Sequence, residues 1–343
     1  MRFKGITMSL LMFVGILLSS VTYSTEQEQY TMERSYYLII HTRGTVYDLQ
    51  VNGLNVKKNS SLRPKNYSLP INHLMRSGEN KITFNYVPLS GRDPETNEFR
   101  RELHENFFAR ISIESMDTKT RERERITLMD ISFDSENNAL KGNPKNPQGQ
   151  EHVYGTVNLF TDGKIRQASS SQWVNGIMKP ALLSERLTVR FTTPDRFPEF
   201  HWLDAVELED TPQMRAELVA AYQRMYSIFY NDDFEAQYQE VSPLWRHTAI
   251  TLGIGQTAMD YVDHLNITEN SGRVWAEGET IKPLRIPDNL DHHIEFMGEG
   301  RLVRILPHPV SWQYPDSERS FSMPLLFYKT PSREWRVADI ITD

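Results

Sequence analysis

The chain is expected to fold as a mainly β protein joined to an α+β region, an N-terminal antiparallel β-sandwich followed by helices and a curved sheet. Three observations predict this. Between residues 36 and 193, several segments alternate apolar and polar residues with period two, as half-buried antiparallel strands do. Turn pairs such as Asn52-Gly53 and Asp162-Gly163 separate segments of this kind, because both residue types tolerate positive φ. From Thr211 the apolar spacing becomes that of a helix, and strand-like runs return after Gly272. The expected organisation is a leader at 1–24, a sandwich at 25–198 and a helix-and-sheet region at 199–343.

The leader reads as a cleavable secretory signal. Arg2 and Lys4 give the charged start, residues 8–18 an apolar run, and Ser19, Ser20, Thr22 and Ser24 a small-residue exit. The run is shorter than the ~20 residues that span a bilayer, so the expectation is export without a stable membrane anchor, into the periplasm or medium.

Strands are expected at 36–42 and 45–51, with Val46, Leu49 and Val51 as the apolar members of the second, and a return strand at 54–57. A short helical turn within 69–75, a Gly78-Glu79-Asn80 corner and a strand through Phe84 come next. Residues 108–114 and 126–133 alternate again. Between them Arg121, Arg123 and Arg125 share one face at strand spacing. They read either as a solvated hairpin tip or as a comb for an anion. Residues 134–150 are a loop by composition; 153–160 and 186–192 are strands.

Thr211-Pro212 starts a helix, with the threonine as cap and the proline at the first helical position. Leu218, Tyr222, Met225, Tyr226 and Phe229 follow at helical spacing. A second helix over 234–241 is expected to stop at Ser242-Pro243, and a third lies within 244–266. Further strands are expected at 273–277, 279–284, 292–297, 302–306, 321–328 and 335–341.

Two resemblances accompany this reading. Asp48-Leu49-Gln50-Val51-Asn52-Gly53, followed by Leu69-Pro70-Ile71 and Gly78-Glu79-Asn80-Lys81-Ile82-Thr83, resembles the galactose-binding-domain-like jelly rolls. That resemblance implies a jelly-roll sandwich, a fold whose members include binders of sugars and of proteins. Three helices, then strands ending in Leu325-Leu326-Phe327-Tyr328-Lys329 and Glu334-Trp335-Arg336-Val337, are similar to the nuclear transport factor 2-like cone. This one implies a pocket between helices and concave sheet, where some members place a carboxylate with a histidine or tyrosine.

Composition narrows the chemistry. The 343 residues carry a net charge of −7, which argues against nucleic acid as a partner. There is no cysteine, which removes disulfides, thiolate metal sites and cysteine nucleophiles. Neither a Gly-x-Ser-x-Gly elbow nor a phosphate loop is present, and no cofactor is called for. Asp260 and His264, four apart on one helix face, could form an oriented base. Tyr222, Tyr226 and Tyr230 read as core packing or as a pocket wall. His293 and Glu295 could share an ion but are too few for a metal site. Trp335 is assigned to the core of the last hairpin. Trp173 stands between loop-like residues as a binding or plugging aromatic.

Three functions compete. The first is a non-enzymatic binding protein for another envelope or secreted protein, an immunity or inhibitor protein being one form of it. The second is a carbohydrate-binding protein of an envelope polysaccharide pathway, with Trp173 as the contact. The third is an enzyme working from the C-terminal pocket with Asp260 and His264.

Overall fold

Leu38 and Ile40 of one strand and Leu49 and Val51 of another point into one apolar interior, and two sheets close around it. The computed structural model describes residues 29–59, 62–96, 99–100, 102–142, 153–158, 173–174, 177–178, 183–267, 279–291, 293–315 and 317–340. The leader at 1–24, the Asp162-Gly163 turn and the strand expected at 273–277 lie outside the described residues.

In chain order the first part holds β1 (Arg34–Arg43), β2 (Thr45–Val51), β3 (Leu54–Asn59), β4 (Lys65–Pro70), a 3-10 turn (Asn72–Leu74) and β5 (Gly78–Pro88). Two short strands follow, β6 (Gly91–Arg92) and β7 (Phe99–Arg100), then β8 (Phe108–Asp117), β9 (Arg123–Asp134) and β10 (Ala139–Lys141). β11 (Val153–Asn158), β12 (Trp173–Val174), β13 (Ile177–Met178) and β14 (Leu183–Thr193) complete it. One antiparallel sheet runs β10-β9-β8-β1-β4 and the other β11-β14-β5-β2-β3. Their inner faces meet through Ile111 and Met129 on one side and Phe84 and Val189 on the other. This is an antiparallel sandwich.

The second part opens with α1 (Pro212–Tyr230), α2 (Phe234–Thr251) and α3 (Ala258–His264). Thr211 caps α1 as its sequence predicts, its hydroxyl accepting from the Met214 N–H at 3.1 Å. The strands are β15 (Thr280–Ile281), β16 (Ile294–Met297), β17 (Leu302–Ile305), β18 (Val310–Gln313), β19 (Ser320–Met323), β20 (Leu325–Lys329) and β21 (Trp335–Ile340). They form the sheets β15-β18-β19 and β16-β17-β20-β21. Among the described residues, no helix is long and apolar enough to cross a membrane.

Three expectations are corrected. The second helix does not stop at Pro243; α2 runs through it to Thr251. A proline inside a helix costs about 3 kcal/mol. Here Val241, Leu244, Trp245 and Ile250 carry a buried stripe across it, and that burial outweighs the lost hydrogen bond. The single strand expected at 321–328 is two, β19 and β20, in different sheets. Pro324 between them has no N–H for a ladder. Finally, β2 is buried on both faces, whereas alternation predicts one face in water.

The last point explains how the two parts meet. Asp48 and Gln50 lie opposite Asn85 and Thr83 of β5, and Asp48 lies opposite Lys58 of β3. Directly opposed residues share a face, so this stretch of the sheet's outer face is polar, with the opposed Val46 and Val87 forming a small apolar cluster beside it. The C-terminal part lies over it at Lys58, which pairs with Glu295 of β16 at 2.6 Å. Apolar packing crosses the seam too. Phe197, Phe200, Trp202 and Ala205 belong to the sandwich core, together with Met297, Leu302 and Tyr328 of the C-terminal part. Leu208 is the first residue of the second core.

Candidate functional site

Two hairpin tips build the site. Asn52 and Gly53, both at positive φ, turn β2 into β3. Gly298, Glu299 and Gly300, also at positive φ, turn β16 into β17. The tips touch backbone to backbone: the Gly298 N–H donates to the Gly53 carbonyl at 3.0 Å. A Cβ on Gly53 would sit 3.2 Å from the Gly298 Cα, and one on Gly298 would sit 2.9 Å from the Leu302 Cγ and 3.1 Å from Trp202. Only glycine fits both the turn and the approach.

Beside this contact lies a cleft of about 400 Å3. Arg76, Lys81, Arg190 and Arg301 line it with two carboxylates, Glu79 and Glu299. Phe200 and Trp202 also border it, their rings stacked at 5.0 Å. Asn52 and Asn80 brace the sandwich side. The Asn52 amide donates to the Asn80 side chain at 2.8 Å and to the Leu74 carbonyl at 2.7 Å. The Asn80 amide donates to the Arg76 carbonyl at 2.9 Å. Strand pairing thus brings together Asn52-Gly53 and Gly78-Glu79-Asn80, pieces far apart in the sequence.

The electrostatics are uneven. Lys81 and Arg190 stand directly opposite on β5 and β14, a like-charge pair that destabilises unless compensated. Glu299 takes Lys81 at 3.0 Å and Glu79 takes Arg190 at 3.1 Å. Arg301 lies 3.9 Å from Glu299. Arg76 is exposed, has no carboxylate in ion-pair contact among the described residues, and adds its charge to the field on Glu299. The hydrogen bond and charge of Lys81 hold the Glu299 carboxyl below its usual range.

The residues singled out in the sequence lie elsewhere. The Asp260 carboxylate closes a capping box on α3, accepting from the Gln256 and Thr257 N–H groups at 2.7 Å each. These backbone bonds keep it below the ordinary carboxylate range, which makes it a poorer base, and His264 is exposed at the end of α3. Tyr222 is fully buried. It donates to the Leu325 carbonyl at 3.0 Å and accepts from the Ile305 N–H at 3.1 Å, joining β17 to β20 beyond their last paired residues. Tyr226 stacks on exposed Tyr230 at 5.8 Å. The three tyrosines therefore run from core to surface and line no common wall.

Trp173 pairs with Met178 in the β12–β13 hairpin, and its side chain lies outside the described residues. Glu295 turns both oxygens to Lys58 and Arg304, while His293 faces the Leu306 carbonyl, so they share no ion. Among the described residues, no three His, Asp or Glu side chains gather to hold a metal. Arg123 and Arg125 converge on Glu114, at 3.1 and 2.6 Å, and Arg121 sits in the turn at positive φ. Trp335 is buried in the last hairpin, its Nε1 donating to Glu217 at 3.0 Å.

Of the cleft residues, only Glu79, Asn80, Lys81 and Asn52 fall in segments whose motif is readable. Arg76, Arg190, Glu299 and Arg301 come from separate segments, and Gly298-Glu299-Gly300 was the one available signal for the second tip. Comparison of the chain with family models, with curated proteins and with solved structures gives no match.

Proposed function

We propose that this chain is an exported, non-enzymatic binding protein that recognises another envelope or secreted protein through the cleft between its two parts. The observation that carries the reading is the cleft itself: four cationic side chains gathered beside two glycine-built tips in a protein of net charge −7. Four cations against two carboxylates leave the lining net positive, and a net-positive cleft draws an anionic partner. Export rests on the leader-like segment at 1–24. The carbohydrate reading gains nothing from this cleft, because Phe200 and Trp202 are buried, at 5% and 4% exposure, and offer no open face for a sugar.

The test is affinity capture with residues 25–343 against envelope extract, followed by purified-component titration. A single protein retained saturably and in stoichiometric ratio supports the reading. Saturable binding to no envelope or secreted protein overturns it.

A further inference from the structure

We infer that the cleft takes a carboxylate-rich segment of the partner protein, and that Glu299 occupies the place of an incoming carboxylate until it is displaced. The inference rests on the binding-protein reading and names its chemistry.

Three features carry it. Arg76 is presented at the rim with no carboxylate in ion-pair contact among the described residues, only the more distant charge of Glu299, and a guanidinium matches a carboxylate in a two-bond fork. Glu299 sits between Lys81 and Arg301, at 3.0 and 3.9 Å, so the protein's own carboxylate already marks where an anion is held. Its side chain is 65% exposed, so it can swing into water without uncovering an interior. Glu299 also adopts φ 59°, ψ 37°, a conformation rare outside glycine and asparagine and enriched at functional positions.

The cleft offers a sugar ring no flat apolar face to stack on, because the aromatic faces of Phe200 and Trp202 are covered. A peptide needs only spaced anchors for its acidic side chains. Its carboxylates would reach Arg76 directly and replace Glu299 at Lys81 and Arg301. Arg190 keeps Glu79 as its partner.

The experiment measures binding of a synthetic Glu-Gly repeat peptide carrying a neutral dye, by anisotropy, to residues 25–343 at low salt. The matching Gln-Gly peptide, polygalacturonate and inorganic phosphate are the comparisons. Circular dichroism melts confirm that each variant folds. The inference expects saturable binding of the Glu peptide and none of the Gln peptide. Arg76→Gln and Arg301→Gln should each weaken it by about tenfold, the scale of one charge-assisted bond. Glu299→Gln should tighten it, because the competitor is gone. Equal binding of both peptides overturns the inference. So does an unchanged affinity in Arg76→Gln, or polygalacturonate or phosphate binding more tightly than the peptide. The two readings are distinguishable: partner capture that persists in Arg76→Gln/Arg301→Gln overturns the inference and the cleft as the contact, and leaves standing only that the chain binds another protein. Peptide binding without any captured partner overturns the binding-protein reading and leaves standing only the cleft's preference for carboxylates.

Discussion

Leu49 and Asp48 are neighbours on β2 and are 0% and 1% exposed, yet they face different materials. Leu49 points into the sandwich with Tyr47 and Val51, among apolar side chains from both sheets. Asp48 points the other way, accepting from Asn55 at 2.6 Å and from Gln50 at 3.1 Å. Farther along that polar side, Lys58, Glu295 and Arg304 form a buried ionic chain, with Arg304 and Glu295 at 0% and 1% exposure. Three histidines also lie along the seam. The His247 ring meets the His73 carbonyl at 2.9 Å, and the His201 ring meets the Val337 carbonyl at 3.4 Å. The difference teaches where the molecule is sensitive. An apolar core responds little to pH or salt, whereas a buried polar seam responds to both, because its charges have lost water and depend on each other.

The largest expected effect breaks the ionic chain. Glu295→Gln removes the carboxylate that Lys58 and Arg304 share, and should cost about 3–5 kcal/mol in a urea titration. Replacing Lys58, Glu295 and Arg304 together by methionine sharpens the comparison: it should be neutral or stabilising, since the desolvation cost leaves with the charges. A triple variant as unstable as Glu295→Gln would mean that the seam depends on packing and not on charge balance.

Acid is the second way in. Burial is the main force lowering His73 and His201 to about 4, with repulsion from His247 adding to it, and burial lowers His247 as well. His247 also faces Arg246, whose charge disfavours a second cation. The Phe200 ring lies against His247 at 5.3 Å and the Tyr328 ring against His201 at 5.6 Å, and neither brings a negative charge to the seam. Because the folded values lie below the ordinary 6.5, the unfolded chain takes up protons first. The contribution of these histidines to stability is full above pH 6.5 and falls as pH drops toward 4, by up to about 3 kcal/mol for each of His73 and His201; buried Asp339, raised to about 6, works in the opposite direction over the same window. Melts at pH 7, 5 and 4 should show this loss, and His73→Gln with His201→Gln should flatten it. A double variant whose stability changes with pH as the wild type's does would remove the histidines as its acid-sensitive element.

How far the sequence could announce this seam follows from the same strand. Period two correctly separates Leu49 from Asp48, but it cannot say what covers the polar side. That depends on Glu295 and Arg304, more than two hundred residues away. The prolines mislead for a related reason. Pro243 is a local stop signal overridden by tertiary burial of α2, while Pro324 splits one apolar run between two sheets. The cleft shows the limit most sharply, for Asn52 and Asn80 belong to a readable motif, but Arg76, Arg190 and Arg301 are ordinary surface residues until the tips meet.

Tyr222 and Tyr226 carry the comparison onto one helix. Tyr222→Phe removes the hydroxyl that satisfies Ile305 and Leu325, leaving a buried donor and acceptor unpaired. The expected cost is about 1–3 kcal/mol. Tyr226→Phe touches a half-buried ring stacked on an exposed one and should stay within about 0.5 kcal/mol of wild type. Equal losses at the two positions would contradict the different roles their surroundings give them.

The smallest expected effect is the most discriminating. Glu299 adopts a left-handed conformation that asparagine tolerates better, so Glu299→Asn relieves backbone strain. It also gives up the exposed contact to Lys81, and exposed pairs contribute ~0–1 kcal/mol. The two changes oppose each other, and stability should move by no more than about 0.5 kcal/mol in either direction. If Glu299 belonged to the seam as Glu295 does, the same substitution would cost several times more. A near-zero result means that a strained glutamate is kept where the fold does not need it, and that its place between Lys81 and Arg301 answers to the cleft.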